Sequence, residues 1–323
     1  MIFQRPSAIV PRCVAGVITS AATFFLLATL TPAASYSGDA GSFIIFLGTG
    51  ASDIASPRTG KNQNCRYIRE HGGKNERRNA ALFVPPNVVI DYSATGRAGL
   101  QAAGIAPTAV DYLFITHSHG DHCDPQAIAG LAQEKKGRLV VLGDAEAMKK
   151  IRVHLESLST KPDLVLQELK PYQEFVAGEW QCKALPANHL PKEQALLYVM
   201  RRGDKSLFYA TDTAWLPMGT FNALKTEKLD CAIVEATFGE MECPDTIPDC
   251  QTAHLNLPHV RQVKQILAKR NILKPGAPFC VTHMSLNWCE PHDLLAPKLA
   301  REGIILPYDG MRLELRQAPQ GRR

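Results

Sequence analysis

The chain has no internal repeat of solenoid period, which excludes a stacked-repeat architecture. It has no sustained heptad pattern, no Gly-X-Y period and no low-complexity tract, so coiled coil, collagen and a wholly disordered chain are excluded as well. It also lacks a strong excess of one charge: 36 Lys and Arg stand against 31 Asp and Glu, a formal net charge of +5. That balance offers no electrostatic argument for nucleic acid as a partner. No linker divides the chain beyond its N-terminal segment, and 323 residues leave room for one domain with a substantial core.

The N-terminal segment is of a different kind. Arg5 and Arg12 precede an uncharged, largely apolar run from Val14 to Leu30, and Thr31-Pro32-Ala33-Ala34-Ser35 follows with small residues suited to cleavage. This reads as a secretory signal peptide over residues 1–34, which leaves 35–323 as the mature domain of an exported, periplasmic or secreted protein. An uncleaved membrane anchor is the alternative, since the run lies near the lower length limit for a span. No other membrane association is expected. Every Cys except Cys13 lies beyond the segment. Cys243 and Cys250 flank the turn-rich Pro244–Asp249 and are the best candidate disulfide, while Cys231 and Cys280 sit in apolar runs and read as core thiols.

The pattern of apolar runs and turn residues predicts strands at Phe43–Gly48, Ala81–Val84, Val88–Asp91, Tyr112–Ile115 and Leu139–Leu142, with short pieces across 162–185. Further strands are expected at Ala195–Arg201, Ser206–Thr211, Asp230–Ala236, Phe279–Thr282 and Met311–Leu315. Helices are expected at Ser93–Ala103, 125–136, Ala145–Leu158 with Asp144 as a cap, Leu257–Lys269 and Asp293–Arg301. Residues 53–79, polar and rich in Arg, Lys, Asn and Gly, read as a long loop. Strands and helices alternate, so the class is a mixed, layered α/β (α+β) fold.

The most informative stretch is Thr116-His117-Ser118-His119-Gly120-Asp121-His122, directly after the apolar run Tyr112–Ile115. A strand that ends in His-x-His-x-Asp-His delivers three imidazoles and a carboxylate to one sheet edge. Neutral imidazole and carboxylate suit zinc, manganese or iron(II). A solvated surface cluster is the bland alternative, but it needs no apolar strand in front of it. His189, Asp212 and His283 each follow the end of an apolar run, where partners for such a site are expected.

The order His-x-His-x-Asp-His, His, Asp, His resembles the metallo-β-lactamase superfamily of dinuclear metallohydrolases, from Gly48-Thr49-Gly50 to Tyr308–Met311. The resemblance implies a four-layer αββα sandwich and two divalent metal ions. It implies His117, His119 and His189 on the first ion, Asp121, His122 and His283 on the second, and Asp212 as the bridge. Asp91 resembles the carboxylate that orients the metal loop. Val234-Glu235-Ala236-Thr237 and Ala253-His254-Leu255-Asn256 are similar to paired segments of the tRNA 3′-processing endonucleases, with Val234 where that branch has His. Asp212–Pro217 and Asp309-Gly310-Met311 most resemble the phosphoribosyl cyclic phosphodiesterases. The cysteine-rich zinc loop of that branch retains only Cys65 here, and no projecting tRNA-gripping arm is evident, so neither a structural zinc nor a tRNA partner is expected.

The implied activity is a metal-dependent hydrolase, favoured as a phosphodiesterase on a small or cyclic phosphodiester through a metal-bridging hydroxide. Asp121, Glu235 and His254 form the catalytic set, with His254 as general acid and Glu235 holding it charged. Solvated polar residues are the alternative for Glu235 and His254. The competing functions are a lactonase or β-lactamase-type carbonyl-ester hydrolase, which needs no such pair, and a non-catalytic binding protein on the same scaffold. Arg66, Arg69, Arg77 and Arg78 are candidates for holding phosphate, against a reading as solvated loop charges. Trp215 and Trp288 are candidates for walling the site and stacking on a ring, against core packing. His71, His154, His259 and His292 read as surface or helix polar residues. Substrate choice is assigned to loops 53–79 and 213–222, and oligomeric state is left open.

Overall fold

A computed structural model describes residues 43–189, 193–242 and 253–315. The chain divides into two units, 1–32 and 33–323, and all described residues belong to the second. The expected signal peptide and the Cys243/Cys250 pair therefore lie outside the described residues. Among the described residues no helix is long and apolar enough to cross a membrane.

Thirteen described strands build two sheets. They are β1 (Phe43–Gly48), β2 (Ala81–Val84), β3 (Val88–Ile90), β4 (Tyr112–Phe114), β5 (Leu139–Gly143), β6 (Leu164–Glu168), β7 (Glu174–Ala177), β8 (Trp180–Pro186), β9 (Leu196–Arg202), β10 (Lys205–Ala210), β11 (Cys231–Glu235), β12 (Phe279–Thr282) and β13 (Arg312–Glu314). The first sheet runs β13-β1-β2-β3-β4-β5-β6 and the second β12-β11-β10-β9-β8-β7. Strands β3 to β6 are parallel, as are β10 to β12, and the remaining neighbours are antiparallel. The described α-helices are α1 (Ser56–Thr59), α2 (Gln63–His71), α3 (Gly96–Ala102), α4 (Pro125–Lys135), α5 (Ala145–Ser157), α6 (Met218–Leu224), α7 (Leu257–Lys269) and α8 (His292–Arg301).

Period-two alternation decides the layering, because successive strand side chains leave opposite faces. Along β1, Ile44 and Phe46 enter the core between the sheets, while Phe43, Ile45 and Leu47 pack with Leu100 of α3 and with Ile128 and Ile151 of α4 and α5. Along β10, Leu207 and Tyr209 face the same inter-sheet core, while Phe208 and Ala210 pack with Val260 of α7 and Leu295 of α8. Three apolar layers thus separate four structural ones, and the architecture is the expected αββα sandwich. Cys231 and Cys280 are free, buried thiols of the inter-sheet core, as their apolar surroundings in the sequence imply.

Two expected loops are partly helical. Within 53–79, Asn62 caps α2 by accepting the Cys65 N–H at 2.7 Å, and Cys65 and Ile68, three residues apart, are its buried residues. Two apolar positions in nine are too sparse to show as a helical period. Within 213–222, α6 starts at Met218 and buries Phe221 and Leu224. His292, read as a surface or helix polar residue, is the first residue of α8 and is buried there, with its Nε2 3.2 Å from the Leu306 carbonyl. At the last residue of β1 a side chain is impossible: a Cβ on Gly48 would lie 1.9 Å from the Asn79 carbonyl oxygen.

Asp144 caps α5 by accepting the Ala147 N–H at 2.8 Å, but its Oδ2 is buried without a partner among the described residues. Burial pushes its carboxyl up to about 7, against the Ala147 hydrogen bond and with help from the Glu193 carboxylate. The folded state therefore binds this proton more tightly than the unfolded state, and stability falls as pH rises from about 4 to about 7. Asp144→Asn keeps an accepting oxygen and removes the charge. Urea titrations across this range should show the variant gaining on wild type as pH rises, with the difference shrinking toward pH 4.

Candidate metal centre

The carboxyl ends of the parallel strands form the site, as expected for open α/β sheets. Asp91 follows β3, the His117–His122 run follows β4, Asp212 follows β10, Glu235 ends β11 and His283 follows β12. Three of these residues adopt left-handed backbone: Asp91 at φ 62°, Asp212 at φ 49° and His283 at φ 53°. Each carries a steric cost of roughly 1–2 kcal/mol, and the hydrogen bonds around them hold the strain in place.

The structure brings all seven expected ligands together. His117, His119 and His189 form one group whose donor atoms lie within 4.8 Å of one another, and Asp121, His122 and His283 form a second. Asp212 lies between them. Its Oδ1 is 3.7 Å from His117 Nε2 and 3.9 Å from His189 Nε2, while its Oδ2 is 3.0 Å from His122 Nε2 and 3.2 Å from His283 Nε2.

Surrounding acceptors set the imidazole tautomers. His122 donates Nδ1–H to Asp91 Oδ2 at 2.8 Å, and His189 donates Nδ1–H to the Ala253 carbonyl at 2.9 Å. His283 Nδ1 is 2.8 Å from Thr237 Oγ1, whose own proton goes to Glu235 Oε2 at 2.5 Å. His117 Nδ1 is 3.1 Å from Thr116 Oγ1, which donates to Asp91. In each of the four rings Nδ1 is engaged by an oxygen, and Nε2 is directed into the centre. His119 is reversed: its Nε2 faces Glu193 Oε2 at 3.3 Å, so Nδ1 is the bare nitrogen, 3.3 Å from His189 Nε2.

This arrangement fits a divalent cation. His117 Nε2 is buried and has no hydrogen-bond partner among the described residues. His122 and His283 bring two Nε2 atoms to 3.2 Å, a contact that a shared electrophile makes favourable. Asp91, Asp121 and Asp212 form no ion pair with Lys or Arg among the described residues. Buried carboxylate charge needs a counter-charge. Burial pushes the His117 and His189 imidazoles down, keeping them neutral as ligation requires. Burial also opposes charge on His122, yet the Asp212, Asp121 and Asp91 carboxylates raise it well above the usual imidazole range. Asp212 shows the converse: burial raises it, but His122, His283 and His117 hold it well below the usual carboxylate range.

Glu235 and His254 meet beside this centre. Glu235 is fully buried and accepts the Thr213 N–H at 2.6 Å, the Thr237 hydroxyl and His254 Nδ1–H at 3.0 Å. The His254 ring is stacked 5.4 Å from that of His283 and lies 5.2 Å from that of His189. Burial would lower its proton affinity, but the Glu235 carboxylate raises it to about 9.

The arginines are elsewhere engaged. Arg77 is buried and donates to Thr49 Oγ1 and the Pro307 carbonyl, and Arg78 pairs with Asp309. Arg66 donates to the Lys61 carbonyl, and Arg69 to the carbonyls of Pro57 and Gly60. These side chains secure the 53–79 segment. Glu193 was not foreseen. Its only signal in the sequence is an acid four residues after His189, and its Oε1 also accepts the Ser118 N–H at 2.8 Å.

Fold and centre together define a four-layer αββα protein with a His/Asp cluster suited to divalent metal. The chain belongs to the β-lactamase superfamily domain family, whose model matches residues 87–283. No curated protein matches the chain. Among solved structures it is similar to a diphosphatase from the PhnP family, at 19% identity and TM-score 0.64 over 84% of this chain and 96% of that one. It is similar to the short form of human tRNase Z, at 16% identity and TM-score 0.61 over 85% and 100%. It also resembles zinc-bound PqqB from Methylobacterium extorquens, at 11% identity and TM-score 0.63 over 84% and 99%. At these identities the likeness is one of fold.

Asp91 accepts the Thr116 N–H at 2.8 Å as well as His122 Nδ1–H, so it orients both the loop and a ligand. An amide at this position cannot accept both protons equally well. Asp91→Asn should weaken divalent-metal affinity by about 10–100-fold, read by competition with a chelator of known affinity.

Proposed function

We propose that this chain is a dinuclear metal-dependent hydrolase acting on small or cyclic phosphodiesters. Membership of the family and the convergent His and Asp donors support a metal-dependent hydrolase. In this reading His117, His119 and His189 would hold one ion and Asp121, His122 and His283 the other, with Asp212, which lies between the two groups, shared by both. Zinc and manganese suit this nitrogen and oxygen set, and iron(II) is compatible with it. When bound, such ions supply a strong nucleophile near neutral pH and neutralise charge on the reacting centre.

The observation that carries the phosphodiester assignment is the Glu235–His254 pair. An alkoxide leaves a phosphodiester readily only if it is protonated as the bond breaks. His254 is built to give that proton: Glu235 takes Nδ1–H at 3.0 Å, and the imidazolium holds its second proton on Nε2. Glu235 is in turn oriented by Thr213 and Thr237, which adjoin Asp212 and His283 through chain and hydrogen bond respectively. One carboxylate therefore joins the proton donor to the ligand shell.

The purified, metal-loaded protein should hydrolyse bis(p-nitrophenyl) phosphate. Turnover of lactones or thioesters with none of this phosphodiester would favour the carbonyl-ester reading and overturn ours. His254→Ala should lower hydrolysis of a cyclic phosphodiester with an alkoxide leaving group by ~10²–10⁴-fold. The same variant should affect bis(p-nitrophenyl) phosphate much less, because p-nitrophenolate departs without a proton. Under the carbonyl-ester reading, His254→Ala leaves the rate intact.

The pH profile offers a separate check. A general acid acts while protonated, so the wild-type rate on the alkoxide-leaving substrate should fall as pH rises through about 9. His254→Gln should remove that alkaline limb.

A further inference from the structure

We infer that Trp288 is a specificity-determining residue that stacks on a planar ring of the substrate, such as a nucleobase. The inference rests on the phosphodiesterase reading and adds the substrate class. Trp180 is fully buried, and Trp215 packs against Phe221 and His259 at centroid distances of 5.7 and 5.9 Å. Trp288 differs from both. The residue is 58% exposed, and among the described residues no aromatic ring or cation packs against it.

An exposed indole is costly in water, yet here its backbone is rigidly fixed. The Ser285–Cys289 turn leaves directly from His283 and Met284. Asp53 accepts the Ser285 hydroxyl at 2.7 Å, the Leu286 N–H at 3.1 Å, the Asn287 N–H at 3.0 Å and the Asn287 side-chain amide at 2.9 Å. The Trp288 N–H itself donates to Ser285 Oγ at 3.1 Å. From the other side, Asn64 donates to the carbonyls of Asn287 and Cys289, and Asn62 to Asn287 Oδ1 at 3.0 Å. The turn that carries the indole is thus clamped to the helical excursion α1–α2, and it follows His283 of the metal centre in the chain. A fixed, open aromatic face binds nucleotides by stacking without strong base preference.

Two cyclic phosphodiesters with the same reacting ring test this. Adenosine 2′,3′-cyclic phosphate carries a base, and glycerol 1,2-cyclic phosphate carries none. Wild type should prefer the base-bearing substrate in kcat/KM. Trp288→Ala should lower that preference by roughly 5- to 150-fold, chiefly through KM, and Trp288→Phe should restore part of it. An unchanged preference in Trp288→Ala overturns the inference. Titration with adenosine 5′-monophosphate supplies a readout independent of turnover. Binding should quench indole fluorescence in wild type, and that quench should vanish in Trp288→Phe. If neither substrate is hydrolysed, the phosphodiesterase reading fails while this quench still decides the stacking role. Quenching that persists in Trp288→Phe overturns it.

Discussion

The centre depends on one buried carboxylate. Asp91, with no exposure to solvent, takes hydrogen bonds from the Thr116 backbone, the Thr116 hydroxyl and the His122 imidazole. Through the backbone it sets where the loop begins, and through the hydroxyl it fixes the group that faces His117 Nδ1. Through His122 it selects a tautomer. Burial pushes the Asp91 carboxyl up, and the His122 charge opposes that rise. Three parts of the ligand shell thus share one acceptor, and an isolated charge at such a position would be expensive.

The opposite sheet has an equivalent hub in Glu235. It joins the segment after Asp212, through the Thr213 N–H, to His283 itself, through Thr237, and takes His254 as a third partner. One carboxylate organises the ligands on the first sheet and another those on the second. Asp212 stands where the two sets meet. Its left-handed backbone, shared with Asp91 and His283, turns each side chain sharply off its strand end. These three conformations recur at the ends of β3, β10 and β12, where regular geometry would continue the chain away from the centre. The strain is local, and the convergence it permits defines the site.

Much of this was legible in the chain. The run His117–His122 stands out because its ligands are contiguous and follow an apolar strand. His189, Asp212 and His283 were legible because each ends an apolar run. The layering was legible from period-two alternation, as in Phe43 to Leu47. What escaped had weak local signal. Helix α2 buries only Cys65 and Ile68, so its period is faint. Arg77 reads as a loop charge, yet its guanidinium is buried against Thr49 and Pro307. His292 reads as a surface or helix polar residue; it is helical, but the return of the chain at Leu306 buries it.

The amino-acid order by itself determined the identity of the donors and the sheet edges that carry them, because strand alternation and ligand spacing act over a few residues. Only the tertiary structure decided which donors share a neighbour, which nitrogen each imidazole presents, and which acid supports it. Glu193 beneath His119 and Asp53 beneath the Ser285–Asn287 turn belong to this second kind. Their partners are 74 and 232 residues away or more in chain order, by the Glu193–His119 and Asp53–Ser285 numbering. Hydrogen bonding depends on distance in space, and no local pattern records a contact made across two sheets.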